Sequence, residues 1–212
     1  MEFKRTRVYN FAEAIRGMRH PLESYHKADS WISNSDDGFV LGANDKNLAQ
    51  RLINSGSEHR KFLRQLMVSV EITAPMYWWS EFDTYKIGTV ANSTSKMHKL
   101  STTSITTDRF ELSDNTKNDN YFYDFLNHLE MLREAYLKTK DKDIWETLLQ
   151  ELPESWLQTR TVTMNYENLY SMIRQRKNHK LIQWSGLEPN HFMGWAKRLP
   201  YADELLFYGL EE

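Results

Sequence analysis

Hydroxyl and cationic side chains are concentrated in the stretch KIGTVANSTSKMHK, residues 86–99. Within it, hydrogen-bond donors suited to an anion are supplied by Lys86, Thr94, Ser95, Lys96 and His98. An aromatic run, MYWWSEFDTY, comes directly before it and has the spacing of a helix with one apolar face. Two interpretations stay open, a core helix followed by a solvated loop or the wall of a ligand site.

A second candidate for chemistry lies further along the chain. The helical stripe of Leu169, Met172 and Ile173 continues at the next turn with Arg176, so a guanidinium is predicted at the edge of a buried face. It could be a cation favoured by the helix dipole, or an arginine that reaches a phosphate or a polarised carbonyl in a pocket. The spacing alone leaves both alternatives open.

The common enzyme signatures are missing. The sequence has no GxGxxG, GxxxxGK[ST], HExxH or GxSxG motif. The absence of cysteine excludes disulfides, thiolate nucleophiles and cysteine-ligated metal sites. The seven histidines are scattered without a pair at metal-ligand spacing, so no metal site is predicted.

Composition sets the class of protein. A chain of 212 residues is long enough for one domain with a substantial core, and 8 Gly, 5 Pro and 13% aromatics favour a helix-rich fold. A net charge of −2 gives no global attraction for nucleic acid or an anionic membrane. The N-terminus lacks an apolar leader and no apolar run reaches membrane-spanning length, so we expect a cytoplasmic protein.

Periodicity predicts the elements that carry these side chains. The alternation in MVSVEITAP predicts a strand at 67–75, and TRTVT predicts another at 159–164. Helices are predicted at 44–56, 58–66, 76–86, 119–138 and 165–178, and another contains Trp145 and ends before Pro153. Asn44 or Asp45 is the predicted cap of the first of these helices, and Asn165 is the predicted cap of the helix at 165–178. Two short helices are predicted after residue 178. Loops are predicted for SNSDDG at 33–38 and for 101–118, the latter with room for a short strand.

The order of these features resembles the flavin-dependent thymidylate synthase family, ThyX. Members carry a strand that ends in a small residue and Pro, then a helix, then R-H-R-x7-S-x-R-Y. Here the strand ends at Ala74 and Pro75, the R-H-R positions hold Thr84, Tyr85 and Lys86, and after IGTVANS come Thr94, Ser95, Lys96 and Met97. The spacing is kept although the residue types change.

The resemblance continues on both sides and covers about residues 45–185. His59 falls where the family has a flavin-contacting histidine, and LP at 152–153 and TR at 159–160 match further family positions. Asn165 and Arg176 match the asparagine that contacts flavin and the arginine that orients and activates the pyrimidine, and His179 lies within one residue of another flavin contact.

The resemblance implies a fold, a cofactor and a set of roles. It implies a single α+β domain over 1–212, a small and mainly antiparallel sheet with packed helices, and assembly as a homotetramer. It implies FAD as the cofactor, held by His59, Lys86, Asn165 and His179, and a nucleotide-like substrate held by Tyr85, Thr94, Ser95 and Lys96. Arg176 is the implied catalytic residue.

The departures determine how much of the activity carries over. Where the family contacts flavin with two arginines and a histidine, this chain has one cation, Lys86, and no guanidinium for bidentate hydrogen bonding, because the other two positions hold Thr84 and Tyr85. A further arginine expected before LP is replaced by Leu149. We therefore expect a divergent member of a phage- or prophage-associated kind. It would be a flavin- or nucleotide-binding protein that acts on a pyrimidine nucleotide or on an altered relative of one, but it would not be an ordinary dUMP methylase. The alternatives are a non-catalytic nucleotide-binding or sequestering protein in phage–host conflict, and an oligomeric structural homologue with a vestigial site.

Overall fold

A computed structural model describes residues 1–33 and 38–210, in which helices and short strands alternate. The strands are β1 (Glu2–Tyr9), β2 (Trp31–Ile32), β3 (Phe39–Val40), β4 (Met67–Pro75), β5 (Val90–Ser93) and β6 (Leu157–Asn165). The α-helices are α1 (Phe11–Gly17), α2 (Ala43–Asn54), α3 (Met76–Phe82), α4 (Lys96–Thr102), α5 (Asp114–Lys117), α6 (Asn120–Thr139), α7 (Lys142–Glu151), α8 (Tyr166–Arg176), α9 (Ile182–Ser185) and α10 (Phe192–Ala196). Short 3-10 turns span His20–Leu22, Tyr25–Lys27, Lys61–Gln65 and Thr107–Arg109, and a π turn spans Ala202–Leu206.

The larger sheet has the strand order β1-β4-β6-β5, while β2 and β3 form an antiparallel ribbon that pairs Trp31 with Val40 and Ile32 with Phe39. The period-2 pattern of β4 is confirmed because Val68, Val70 and Ile72 are fully buried. The predicted α+β class, with a small sheet and packed helices, is likewise confirmed.

The chain forms two compact units. The first comprises Met1, Ile72–Thr84 and Asn92–Thr161, and the second comprises Glu2–Glu71, Tyr85–Ala91 and Val162–Glu212, of which the structure describes the residues given above. The single domain expected from the sequence stays a prediction.

The core of the first unit lies around α6 and α7. Its buried residues are Leu100, Ile105, Phe110, Leu126, Leu129, Trp145, Leu148 and Trp156. The apolar stripes predicted for residues 119–138 and for the segment up to Pro153 account for the central members of this core, so both helix predictions are confirmed.

The core of the second unit contains an aromatic cluster at the beginning of α8. Phe11 meets the rings of Phe39, Tyr166 and Tyr201 at centroid distances of 5.5, 5.8 and 5.4 Å. The hydroxyl of Tyr166 donates to the carbonyl of Pro200 at 2.7 Å, and burial raises the pKa of this phenol well above its ordinary value. The N-terminal end of α8 is therefore fixed in a rigid setting.

Two predicted boundaries of the N-terminal half are wrong. The N-cap of α2 is Gly42, not Asn44 or Asp45, because the Asp45 side chain is buried in the first turn and accepts from Arg19 Nε at 2.5 Å. The predicted helix at 58–66 is only the 3-10 turn Lys61–Gln65. Of the predicted loop at 33–38, residues 34–37 lie outside the described residues.

The aromatic helix also ends earlier than predicted. α3 stops at Phe82, and the hydroxyl of Thr84 donates to the carbonyl of Glu81 at 2.8 Å, so Lys86 does not share a helix face with Trp79 and Phe82. The polar run that follows contains β5 and α4, and the 101–118 connection contains α5. None of the helices in residues 1–33 and 38–210 is long and apolar enough to cross a membrane.

Candidate functional site

A short exposed turn at residues 85–89 carries two of the predicted site residues. Lys86 is exposed and Tyr85 is half-buried. The Thr89 hydroxyl donates to the carbonyl of Tyr85, and Asn168 Nδ2 donates to the carbonyl of Ile87 at 2.7 Å. The turn is thereby attached to α8, the helix that ends in Arg176.

The Arg176 guanidinium lies in a cluster formed by Tyr85, Gln175, Arg176 and Trp184, which we call the Arg176 cluster. Arg176 Nε donates to the Tyr85 hydroxyl at 2.8 Å, and that hydroxyl donates to Gln175 Oε1 at 2.9 Å. The Arg176 Cζ lies 5.4 Å from the ring centroid of Tyr85 and 5.1 Å from that of Trp184, within the range of cation–π attraction. The structure therefore brings the predicted Tyr85 and Arg176 together.

His179 lies beside the same cluster. Its ring centroid is 6.4 Å from that of Trp184, and its Nδ1 accepts from the backbone N–H of Leu181 at 3.2 Å. A ring nitrogen that accepts a hydrogen bond carries no proton, so this contact places the ring proton of a neutral His179 on Nε2.

Asn165 begins α8 as predicted. Its Oδ1 accepts from the N–H of Asn168 at 2.9 Å, and Asn168 Oδ1 accepts from the N–H of Asn165 at 3.1 Å, which makes a reciprocal capping box. Gly88 has φ +77°, and a Cβ there would lie 3.0 Å from Asn168 Oδ1 and 3.2 Å from Asn165 Nδ2. Glycine suits this position because its backbone has positive φ and a Cβ would crowd both asparagine side chains.

His59 lies in the second unit, in the lining of a cavity of about 760 Å³. The lining residues come from 10–24 and 48–65, and its apolar part includes Leu48, Leu52 and Phe62. Leu48 and Leu52 of α2 are both half-buried and line this cavity. The volume is in the range of small-molecule sites.

Thr94, Ser95 and Lys96 lie in the first unit, where β5 leads into α4. The Thr94 N–H donates to the carbonyl of Thr159 at 2.9 Å, and Thr94 Oγ1 accepts from the N–H of Thr159 at 3.3 Å. Ser95 caps α4 by accepting from the N–H of His98 at 3.3 Å, and Lys96 is half-buried. The hydroxyl proton of Thr94 is not used in its bond with Thr159, because Oγ1 is the acceptor there.

A polar network beneath Thr94 was not predicted from the sequence. Gln158, which is buried, donates from Nε2 to the carbonyl of Thr94 at 3.0 Å and accepts from Arg160 Nε at 2.9 Å. Arg160 also donates to Asp83 at 2.7 Å, and its Cζ lies 4.1 Å from the ring centroid of Trp79. Arg160 is therefore a structural arginine that supports the β5 edge.

The sequence offered no sign of Gln158, Gln175 or Trp184 as members of these arrangements. Each is identified only by contacts with residues distant in the chain, such as the 90 positions between Tyr85 and Gln175. In the described part of the chain, no group of three or more His, Asp or Glu side chains is placed to hold a metal ion.

Known structures show the same fold. The chain is similar to a crystal structure of flavin-dependent thymidylate synthase ThyX from Helicobacter pylori complexed with FAD and dUMP, with a TM-score of 0.73, 19% identity and coverage of 100% of both chains. A second Helicobacter pylori ThyX structure with FAD and dUMP gives a TM-score of 0.70 and 20% identity over 98% of this chain and 97% of that chain. No protein-family model and no curated protein matches the chain. At these identities the likeness establishes the fold, which confirms the fold that the sequence resemblance implied.

Proposed function

We propose that this chain binds a pyrimidine nucleotide and FAD and is not an efficient methylase of dUMP. The observation that carries the proposal is the guanidinium of Arg176, half-buried and held by the Tyr85 hydroxyl at 2.8 Å with the Trp184 ring against it. A held, planar guanidinium is suited to the carbonyl oxygens of a pyrimidine base. The similar structures were solved with dUMP and FAD, which supports the same ligand classes here.

The residues present fit a flavin in two respects. The cavity that contains His59 measures about 760 Å³ and combines apolar side chains with polar ones, a lining suited to a heteroaromatic ring. Lys86 is exposed and can pair with a phosphate. His59, Lys86, Asn165 and His179 would hold the cofactor, and a bound flavin would supply hydride chemistry.

Thr94, Ser95 and Lys96 would hold the nucleotide phosphate, since two hydroxyls and one ammonium can each donate to it. A lysine provides a point charge where an arginine provides a bidentate fork. Loss of a hydrogen bond to a charged group typically costs about 1.5 to 3 kcal/mol, and Thr84 and Leu149 also lack the charge of the arginines expected there. This loss of donors is the reason to expect weak dUMP methylation.

The test is a ligand screen on the purified chain. Visible flavin absorbance is recorded first, and thermal shifts with FAD, FMN, dUMP and dTMP follow. Calorimetry then compares Arg176→Ala and Lys86→Ala with two exposed controls that make the same substitutions, Arg51→Ala and Lys138→Ala. We expect the site variants to weaken binding by about tenfold or more and the controls to leave it unchanged.

The outcomes separate the alternatives. A colourless chain that binds nucleotides without flavin would favour a sequestering protein over a flavoenzyme. A chain that no compound stabilises would refute the proposal and favour the vestigial homologue. Light scattering measures the oligomeric state, for which we propose a homotetramer. Growth of a thymidine-requiring strain that expresses this chain, without added thymidine, would contradict the expectation of weak dUMP methylation.

A further inference from the structure

The position of the Arg176 guanidinium is set by groups that belong to this chain's altered triplet. Tyr85 is the middle residue of that triplet, and its hydroxyl is both an acceptor for Arg176 Nε and a donor to Gln175 Oε1. Because the phenol proton is directed to Gln175, the oxygen lone pairs are directed to the arginine. The direction of each hydrogen bond is therefore fixed by its neighbour.

We propose that Tyr85 is a positioning residue which fixes the orientation of the Arg176 guanidinium through Nε, so that the Nη donors read the pyrimidine base in one defined direction. A guanidinium is planar, and once Nε–H is bound to the phenol the directions of the four Nη–H groups follow from that plane. The rings of Tyr85 and Trp184 lie 5.4 and 5.1 Å from Cζ and restrict tilting of the plane. The inference rests on the proposed function for its ligand. The hydrogen bond and ring contact by which Tyr85 holds Arg176, which we call the clamp, belong to the ligand-free chain.

Tyr85 can act in this way because its backbone is itself restrained. The Thr89 hydroxyl donates to the Tyr85 carbonyl, and the carbonyl of Ile87 accepts from Asn168 Nδ2 at 2.7 Å. The turn is therefore attached near the beginning of α8 while the phenol contacts residues of its last turn. Displacement of Tyr85 would have to break contacts at both ends of the helix.

If Tyr85 acts by positioning Arg176, the effect of a Tyr85 substitution on dUMP binding should depend on whether Arg176 is present. In Tyr85→Phe the ring remains against the guanidinium and only the hydroxyl is lost, so dUMP should bind about 3- to 10-fold more weakly, the equivalent of one hydrogen bond. In an Arg176→Lys background the Nε–H is absent, so the same tyrosine substitution should cause no further loss. A residue that contacts the nucleotide independently, or only supports folding, would show the same factor in both backgrounds.

The experiment has one arm without ligand and one with dUMP, both on the full chain. In the first, the Nε–H resonance of Arg176 is assigned by its loss in Arg176→Lys, and its exchange with water is expected to be slow in the wild type and fast in Tyr85→Phe. In the second, calorimetry measures the four members of the cycle. Tyr121→Phe, on an exposed tyrosine of α6, is the matched control and should change neither quantity.

The two arms distinguish the failure of this inference from the failure of the proposed function. An Nε–H resonance that is unchanged in Tyr85→Phe would overturn the clamp, and so would equal losses in the two backgrounds. A wild type that does not bind dUMP but shows the expected change in exchange would refute the nucleotide proposal and leave the clamp supported. Thermal melts identify any variant that does not fold. If Tyr85→Phe does not fold, Gln175→Leu provides a second perturbation of the bond between Tyr85 and Arg176, because it removes the acceptor of the phenol proton.

Discussion

The buried ion pair between Arg19 and Asp45 should be a main determinant of the stability of the second unit. Their side chains are 3% and 2% exposed, and the Asp45 carboxylate accepts from Arg19 Nε at 2.5 Å. It also accepts from the N–H groups of Asp29 and Ser30 at 3.1 and 2.9 Å. In Asp45→Asn one of these acceptors becomes an NH2 group that faces donors, and Arg19 loses the countercharge of its buried partner.

The expected cost follows from these contacts. Removal of one partner from a buried ion pair typically destabilises by about 3–5 kcal/mol, a large part of a total of about 5–15 kcal/mol. Urea denaturation at pH 7 measures the difference. The matched control is Asp114→Asn, because Asp114 pairs with Lys117 at 3.2 Å while its side chain is 94% exposed, and such pairs contribute about 0–1 kcal/mol.

The pH dependence supplies an independent check. Burial alone would raise the pKa of Asp45, but hydrogen bonds from Ser30, Arg19 and the backbone outweigh it and hold the pKa below its ordinary value. A carboxylate with a lowered pKa in the folded state stabilises it above the unfolded pKa of about 3.9, and that stabilisation is lost as pH falls through the folded value. The difference between wild type and Asp45→Asn should therefore shrink below about pH 4. A difference under about 1 kcal/mol at pH 7, or one that grows in acid, would refute the reasoning.

Three further predictions concern the surroundings of the site and the first unit. Gly88→Ala should destabilise more than Gly38→Ala in urea denaturation. Both glycines have positive φ, +77° and +74°, but of the two only Gly88 has side chains of the described residues within 4 Å of the new Cβ; equal losses would contradict this. Glu130→Gln should lower the free energy of unfolding by about 1.5–3 kcal/mol at pH 7, because the Glu130 carboxylate accepts twice from Arg133. These hydrogen bonds are the main reason why the pKa of Glu130 is lowered, so a stability loss that did not diminish below about pH 4 in thermal melts would be inconsistent with this pair. Gln158→Leu should accelerate hydrogen exchange at the Thr94 N–H, because the amide that holds the Thr94 carbonyl at 3.0 Å is lost; unchanged exchange would mean that the network does not support this edge.

The parts of the fold that were predictable are those set by local patterns. The alternation of Val68, Val70 and Ile72 identified β4, and the cap at Asn165 identified the beginning of α8. These signals are contained within a few consecutive residues, so no knowledge of distant contacts is needed. The stripe that ends in Arg176 likewise predicted a guanidinium at the edge of a buried face, and Arg176 is half-buried.

The errors occurred where a distant contact outweighs a local preference. Asp45 is a good N-cap residue by type, but Arg19, 26 positions earlier, holds its carboxylate inside the first turn of α2. The end of α3 was missed because residues up to Lys86 are compatible with a helix, whereas the turn at 85–89 is held by Asn168. The bond between Tyr85 and Arg176 spans 91 positions and has no local signal.

The altered triplet has a physical interpretation that the sequence resemblance alone did not supply. An arginine or a protonated histidine at position 85, where the Tyr85 hydroxyl lies 2.8 Å from Arg176 Nε, would place two cations side by side. Tyrosine instead provides an acceptor for Nε, and Gln175 provides the acceptor that the phenol proton then requires. Under the proposed function, Lys96 offers a phosphate only a point charge, while the Arg176 guanidinium is held by the Tyr85 hydroxyl at 2.8 Å. Ligand recognition in this chain should then depend more on the base than on the phosphate.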